Sequence, residues 1–76
     1  MSVDDHEYEA VLEAIRQRDR DGKAYVTTSH IKTATGMDGR VVGRAMKAIA
    51  EAGHLEYWGG SSQSTYRITL ERGVVA

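Results

Sequence analysis

The sequence predicts an α+β fold in which three helices and one short strand precede a C-terminal pair of antiparallel strands. Three stretches of the chain place apolar residues at spacings of three and four, the period of a helix with one buried face. Two later stretches alternate apolar and polar residues, the period of a strand. The chain has 76 residues, far below the length at which chains divide, so we expect a single domain over residues 1–76.

The first predicted helix covers residues 5–18. Asp4, or Ser2 followed by Asp5, can cap its start. Acidic residues then occupy the beginning of the helix and basic residues its end, which is the arrangement that the helix dipole favours. Its single apolar stripe consists of Tyr8, Val11, Leu12 and Ile15.

A short β-prone segment, Tyr25–Thr27, precedes a second helix that runs to about residue 35. Thr28 or Ser29 is expected to cap this helix. Gly36 is expected to end it in the left-handed conformation that glycine adopts readily. The side chains expected to point inward are Ile31 and Ala34.

The third predicted helix spans about residues 39–52, with Asp38 as its N-cap and Gly53 at its end. It carries the clearest separation of faces in the chain. The buried stripe is expected to be Val42, Ala45, Met46 and Ile49. The opposite face would carry Arg40, Gly43, Arg44, Lys47 and Glu51.

Gly43 lies in the centre of that exposed face. A glycine inside a helix lowers helix stability by about 1 kcal/mol relative to alanine, so it usually has a packing or a functional reason. Two explanations are open. Either another molecule approaches the backbone of this helix closely, which we favour, or Gly43 packs against another part of the same chain.

Two alternating segments, His54–Trp58 and Thr65–Leu70, flank a turn-rich loop over residues 59–63 and predict an antiparallel hairpin. The alternation places Trp58 and Arg67 on the outward face. The residues expected to close the core are Leu55, Tyr57, Tyr66, Ile68 and Leu70.

Composition and motifs exclude several classes. Hydrophobic residues make up 41% of the chain and charged residues 28%, which is typical of a globular domain. No cysteine is present and the three histidines lack companion ligands, so we expect no disulfide and no metal. No nucleophile–base pair or phosphate-binding loop indicates an enzyme, and no cofactor is expected. The acidic N-terminus and the lack of a long apolar run predict a cytoplasmic chain without a membrane span.

The net charge of −1 conceals a polarised distribution. Residues 1–15 contain five acidic residues and no lysine or arginine. Residues 16–50 contain eight basic and three acidic residues. A polyanion responds to the local face rather than to the total charge, so the basic middle indicates a possible nucleic-acid surface.

The order of elements resembles the winged helix-turn-helix domain of bacterial and archaeal transcription regulators, over about residues 5–70. Its most specific part is Met46-x-x-Ile49-x-x-x-Gly53-x-Leu55, which is similar to the junction between the recognition helix and the first wing strand. A second motif, Ile31-x-x-Ala34-x-Gly36, resembles the family's preceding helix and turn.

The resemblance implies a three-helix winged fold that binds double-stranded DNA, with the third helix in the major groove and a homodimer as the working form. The expected DNA-binding residues are Lys32, Arg40, Gly43, Arg44, Lys47 and Arg67. The expected wing residues are Trp58, Ser61, Ser62 and Gln63. The wing loop lacks lysine and arginine, which departs from members that insert a cation into DNA. Trp58 can stack on a sugar or a partner, or cover the edge of the first helix.

A second function remains open, that of a winged-helix module for protein–protein interaction. The near-zero net charge, the uncharged wing tip and Asp38 at the start of the third helix favour it. The two functions can be distinguished by whether these cations are paired with carboxylates. Unpaired cations on a continuous face would favour DNA, whereas cations paired with Asp38, Glu51 and Glu56 would favour a protein partner.

Overall fold

Three helices and a three-stranded antiparallel sheet form the part of the chain described by the structure, a computed structural model covering residues 4–59 and 65–70. The predicted α+β class is confirmed. Along the chain, the elements are α1 (Asp5–Arg20), β1 (Tyr25–Thr27), α2 (Thr28–Thr35), α3 (Gly39–Glu51), β2 (Leu55–Gly59) and β3 (Thr65–Ile68).

Helix α1 begins as predicted and ends two residues later than expected. The Asp4 carboxylate accepts a hydrogen bond from the backbone N–H of His6 at 2.7 Å, which satisfies one of the free amides of the first turn. At the other end, Arg20 donates to the side chains of Glu13 and Gln17. These contacts to earlier turns of the same helix account for the extension to Arg20.

Helix α2 is capped by Thr27, so the expectation of Thr28 or Ser29 was wrong. The Thr27 hydroxyl accepts from the His30 backbone N–H at 3.3 Å, and Nδ1 of His30 accepts from the Thr27 backbone N–H at 3.1 Å. This is a reciprocal capping box in which His30 holds the place usually taken by glutamate or glutamine. Gly36 ends the helix with φ of +73°, as predicted.

Helix α3 follows Asp38, which occupies the N-cap position but forms no side-chain cap hydrogen bond. The helix ends at Glu51, one residue earlier than expected, and Gly53 follows with φ of +92°. Its start lies close to α2, because a Cβ at Gly39 would stand 3.3 Å from Cδ of Lys32. The two helices therefore meet where α3 begins.

The hydrophobic core lies between the three helices and one face of the sheet. Ala34 was expected in this core, but it is exposed and lines a groove between α1 and α2. Ile31 occupies the inward position of the two-turn helix α2, and Met37, just after the helix, packs against the core where Ala34 was expected. The buried core residues are Val11, Leu12, Ile15, Val26, Ile31, Val42, Ala45, Met46, Ile49, Leu55 and Tyr66.

The sheet has the strand order β1-β3-β2, so the hairpin strand β3 lies in the centre. Ile68 and Leu70 pack against the core as predicted. Tyr57 does not, since 59% of it is exposed. It stands opposite Tyr66 in the β2–β3 ladder, and Tyr66, with 8% exposed, fills the available space. The Tyr57 ring packs edge-on against the Tyr66 ring at 5.4 Å instead.

Within residues 4–59 and 65–70, no helix combines the length and the apolar character needed to cross a bilayer.

Two glycines give opposite expectations for stability. Gly36→Ala should lower the free energy of unfolding by about 1 kcal/mol, because alanine is strained at its positive φ. Gly43→Ala should raise it by about 0.5–1 kcal/mol, because the site is inside a helix and an added Cβ meets no atom within 4 Å. Urea unfolding of both variants checks the signs, and a destabilised Gly43→Ala would contradict the open space seen at this position.

Candidate nucleic-acid interface

The exposed face of α3 carries a shallow depression lined by Arg40, Gly43, Arg44 and Lys47. Its floor is formed at Gly43, where no atom lies within 4 Å of the place that a Cβ would occupy. The alternative in which Gly43 packs against its own chain is therefore wrong for the described residues. The depression instead exposes helix backbone between three long cationic side chains.

Among the residues that the structure describes, these cations have no carboxylate partner. In the part of the chain that the structure describes, Lys32, Arg40, Arg44 and Lys47 form no ion pair and no side-chain hydrogen bond. Asp38, the acid at the start of α3, forms no ion pair with them either. Their charges are available to an anion from solution without the loss of an existing contact.

Lys32 extends this cationic face from α2 to α3. Its side chain lies over the first residue of α3, with Nζ 3.9 Å from the position of a Cβ at Gly39. The Asp38 side chain forms no cap hydrogen bond, so the backbone amides in the first turn of α3 receive no acceptor from it. An ammonium group beside free helix N-terminal amides is an arrangement that suits a phosphate.

Arg67 and Trp58 lie on a different surface. The Arg67 guanidinium pairs with Glu56 at 3.5 Å, and Trp58 packs edge-on against Tyr25 with ring centroids 5.6 Å apart. Tyr25 stands opposite Arg67 in the β1–β3 ladder, and its neighbour Val26 is buried. Because side chains alternate along a strand, all four exposed residues are on the face of the sheet turned away from the helices.

The predicted site residues are therefore divided. The structure brings the four α3 residues into one depression, places Lys32 against the first residue of α3, and separates Arg67 and Trp58 from them. The alternative in which Trp58 covers the edge of α1 is wrong, since 59% of it is exposed and its ring contact is with Tyr25. The remaining predicted wing residues, Ser61, Ser62 and Gln63, lie outside the described residues.

Sequence reasoning missed Tyr57 as a member of the α3 surface. Tyr57 and Lys47 both line a groove between α3 and β2. Burial, followed by the neighbouring Tyr57, raises the pKa of the Tyr66 hydroxyl below it. The sequence does show two tyrosines on one face of the hairpin. Which of them is buried and which is exposed depends on the pairing of the two strands, and the sequence does not show that pairing.

Among residues 4–59 and 65–70, no group of three or more histidine, aspartate or glutamate side chains could hold a metal ion.

Comparisons of the chain with protein-family models, with curated proteins and with solved structures found no match.

The capping box of α2 predicts a pH-dependent stability. Burial, and next the Arg18 charge, lower the pKa of His30 below its usual 6.5. Between the unfolded pKa of 6.5 and the lower folded value, the unfolded chain binds more protons, so stability is full above this window and falls as the pH falls through it. The protonated ring also loses its acceptor for the Thr27 N–H.

Thermal unfolding is compared at about pH 7.5, above the window, and at about pH 5.5, below the unfolded pKa. His30→Gln is the matched control, because its amide oxygen can accept from Thr27 without titrating. The variant should show a smaller loss of melting temperature at the lower pH than the parent. Equal losses in the two proteins would assign the pH dependence to other groups.

Proposed function

We propose that the chain is a DNA-binding module of a transcription regulator, with a winged helix-turn-helix arrangement that places α3 in the major groove. The observation that carries the proposal is the depression on α3, in which three unpaired cations surround exposed backbone at Gly43. The major groove admits an α-helix, and its base edges are read by side chains of this kind.

The contacts divide by chemistry. Arg40 and Arg44 have the planar donor groups that pair with the two acceptors on a guanine edge, and Lys47 can reach a base edge or a phosphate. Lys32, at the start of α3, suits a phosphate oxygen and would fix the register of the helix in the groove. Gly43 lets the helix backbone approach the DNA without a side chain between them.

The placement of the helices supports this use. A short turn over residues 36–38 joins α2 to α3, and α3 buries one stripe against the core while its other face is in solvent. The strand β2 then follows α3 and packs beside it. This order and geometry are compatible with a winged helix, in which the second helix of the turn motif is the recognition helix.

A second function, protein–protein interaction, is favoured by the outer face of the sheet. There Arg67 is already paired with Glu56, and Tyr25 and Trp58 expose 44% and 59% of their surfaces. Exposed aromatic residues are enriched at protein interfaces. The proposal of DNA binding rests on α3, so the two functions concern separate surfaces and can be tested separately.

We also propose that the module acts as a homodimer, because one such module buries a modest area on DNA and dimers reach two half-sites. We propose that the two copies meet through helix α1. Its stripe residues Val11, Leu12 and Ile15 are already buried in the core, whereas Tyr8 is half-buried and Ala10 is exposed. The tail residues Val74 and Val75, which we expect to extend this contact, lie outside the described residues.

Alanine variants of α3 test the DNA proposal. Arg40→Ala, Arg44→Ala and Lys47→Ala should each weaken duplex binding, by about 1–3 kcal/mol where the contact is to a base. Their melting temperatures should change little, because the three side chains are exposed and unpaired. Fluorescence anisotropy with a labelled duplex selected from random-sequence DNA measures the loss.

Arg16→Ala is the matched control, since it removes one exposed cation from α1 and should leave binding nearly unchanged. The affinity of the parent should also fall with rising salt, because neutralised phosphates release counterions. A triple α3 variant that binds DNA as tightly as the parent would rule out the proposal, as would an affinity independent of salt.

Sedimentation velocity tests the dimer. We expect a dimer at micromolar concentrations or on a duplex that contains two half-sites one helical turn apart. Tyr8→Glu should reduce dimer formation by placing a charge in the contact. Monomers alone, with and without DNA, would contradict the dimer and leave the DNA proposal standing.

A further inference from the structure

The depression on α3 continues into a second concavity. A groove of about 500 Å³ lies between α3 and β2, lined by Ala50, Glu51, Leu55, Tyr57, Tyr66 and Lys47. Lys47 lines the α3 depression as well. The two concavities therefore share Lys47, which joins the cationic depression on α3 to the groove beside β2.

Tyr57 lines this groove and has one ring contact that orients it. Its ring packs edge-on against the buried ring of Tyr66, with centroids 5.4 Å apart and planes inclined at 68°. The ring passes close to Gly59, since a Cβ built there would lie 3.7 Å from Cε2 and 4.0 Å from the hydroxyl oxygen of Tyr57. The contact with Tyr66 restricts the ring before a ligand binds, which lowers the entropy that binding costs.

Among residues 4–59 and 65–70, the Tyr57 hydroxyl is an unused hydrogen-bond donor, because it has no hydrogen-bond partner there. The residue is 59% exposed. Its hydroxyl lies near Gly59, and Lys47 lines the same groove. Tyrosine hydroxyls commonly donate to phosphate oxygens in protein–DNA complexes.

We infer that Tyr57 is a backbone contact of the DNA surface, donating its hydroxyl hydrogen to a phosphate oxygen while Lys47 supplies the neighbouring positive charge. The inference rests on the proposed function and extends it from α3 to β2. Glu51 also lines the groove, so the phosphate passes at the Lys47 end, away from that carboxylate. The hairpin then contacts DNA through the helix-facing side of β2 rather than through Trp58.

Tyr57→Phe tests this contact, because it removes the hydroxyl and keeps the ring that packs on Tyr66. Tyr25→Phe is the matched control: it makes the same chemical change on the outer face of the sheet, where 44% of Tyr25 is exposed. Both variants are titrated by fluorescence anisotropy with a duplex selected from random-sequence DNA and with a duplex of unrelated sequence. Melting temperatures verify that both remain folded.

We expect Tyr57→Phe to bind both duplexes about tenfold more weakly than the parent, since a hydrogen bond to a charged group is lost and phosphate contacts carry no sequence information. Tyr25→Phe should bind as the parent does. The salt dependence should be unchanged in Tyr57→Phe, which loses no charge, and should decrease by about one unit of slope in Lys47→Gln.

Three results would overturn the inference. Parental affinity in Tyr57→Phe, in a protein whose triple Arg40, Arg44 and Lys47 variant loses binding, would remove Tyr57 from the surface and leave the proposed function intact. An equal loss in Tyr25→Phe would show that the effect is not specific to this side of the sheet. Parental affinity in the triple variant would refute the proposed function, and the inference with it.

Discussion

The packing of α3 on α1 is the contact on which the rest of this small structure depends. Complete burial of an aliphatic side chain contributes about 1.5–3 kcal/mol, and a chain of 76 residues has few such side chains to bury. The same contact fixes the rotation of α3 about its axis, so it decides which residues face solvent. Stability and the exposed cationic face thus have one origin. The residues concerned are Val11, Leu12 and Ile15 of α1, with Val42, Ala45, Met46 and Ile49 of α3.

The strength of a periodic pattern decided how much of the fold could be predicted. The stripes of α1 and α3 are long enough to define a face, and every residue predicted for the α3 stripe is buried. Helix α2 has only two turns, so one position, Ile31, is enough to attach it, and Ala34 is left outside. Its cap was missed because His30 can complete a capping box through Nδ1, a role that propensity assigns to glutamate or glutamine.

The candidate site was predictable where it lies on one helix and not where two elements meet. Spacing along α3 is sufficient to bring Arg40, Gly43, Arg44 and Lys47 to one depression. The alternation of β2 correctly gave the side of the sheet for Tyr57, yet it contains no information on how far the core extends. That depends on the pairing of Tyr57 with Tyr66 and on the space that one ring leaves for the other, which only the folded register reveals.

The contrast between α1 and α3 explains why a chain of net charge −1 can present a cationic face. On α1, Arg16 and Arg20 both form ion pairs with Glu13, which offsets part of their positive charge. On α3, Glu51 is the only acid, and it follows Lys47 by four residues in the less favourable order of a helical pair. Within the described residues, the ion pairs with Glu13 therefore form on α1, whereas Arg40, Arg44 and Lys47 on α3 form none. Local arrangement, rather than total charge, determines the field that an approaching polyanion meets.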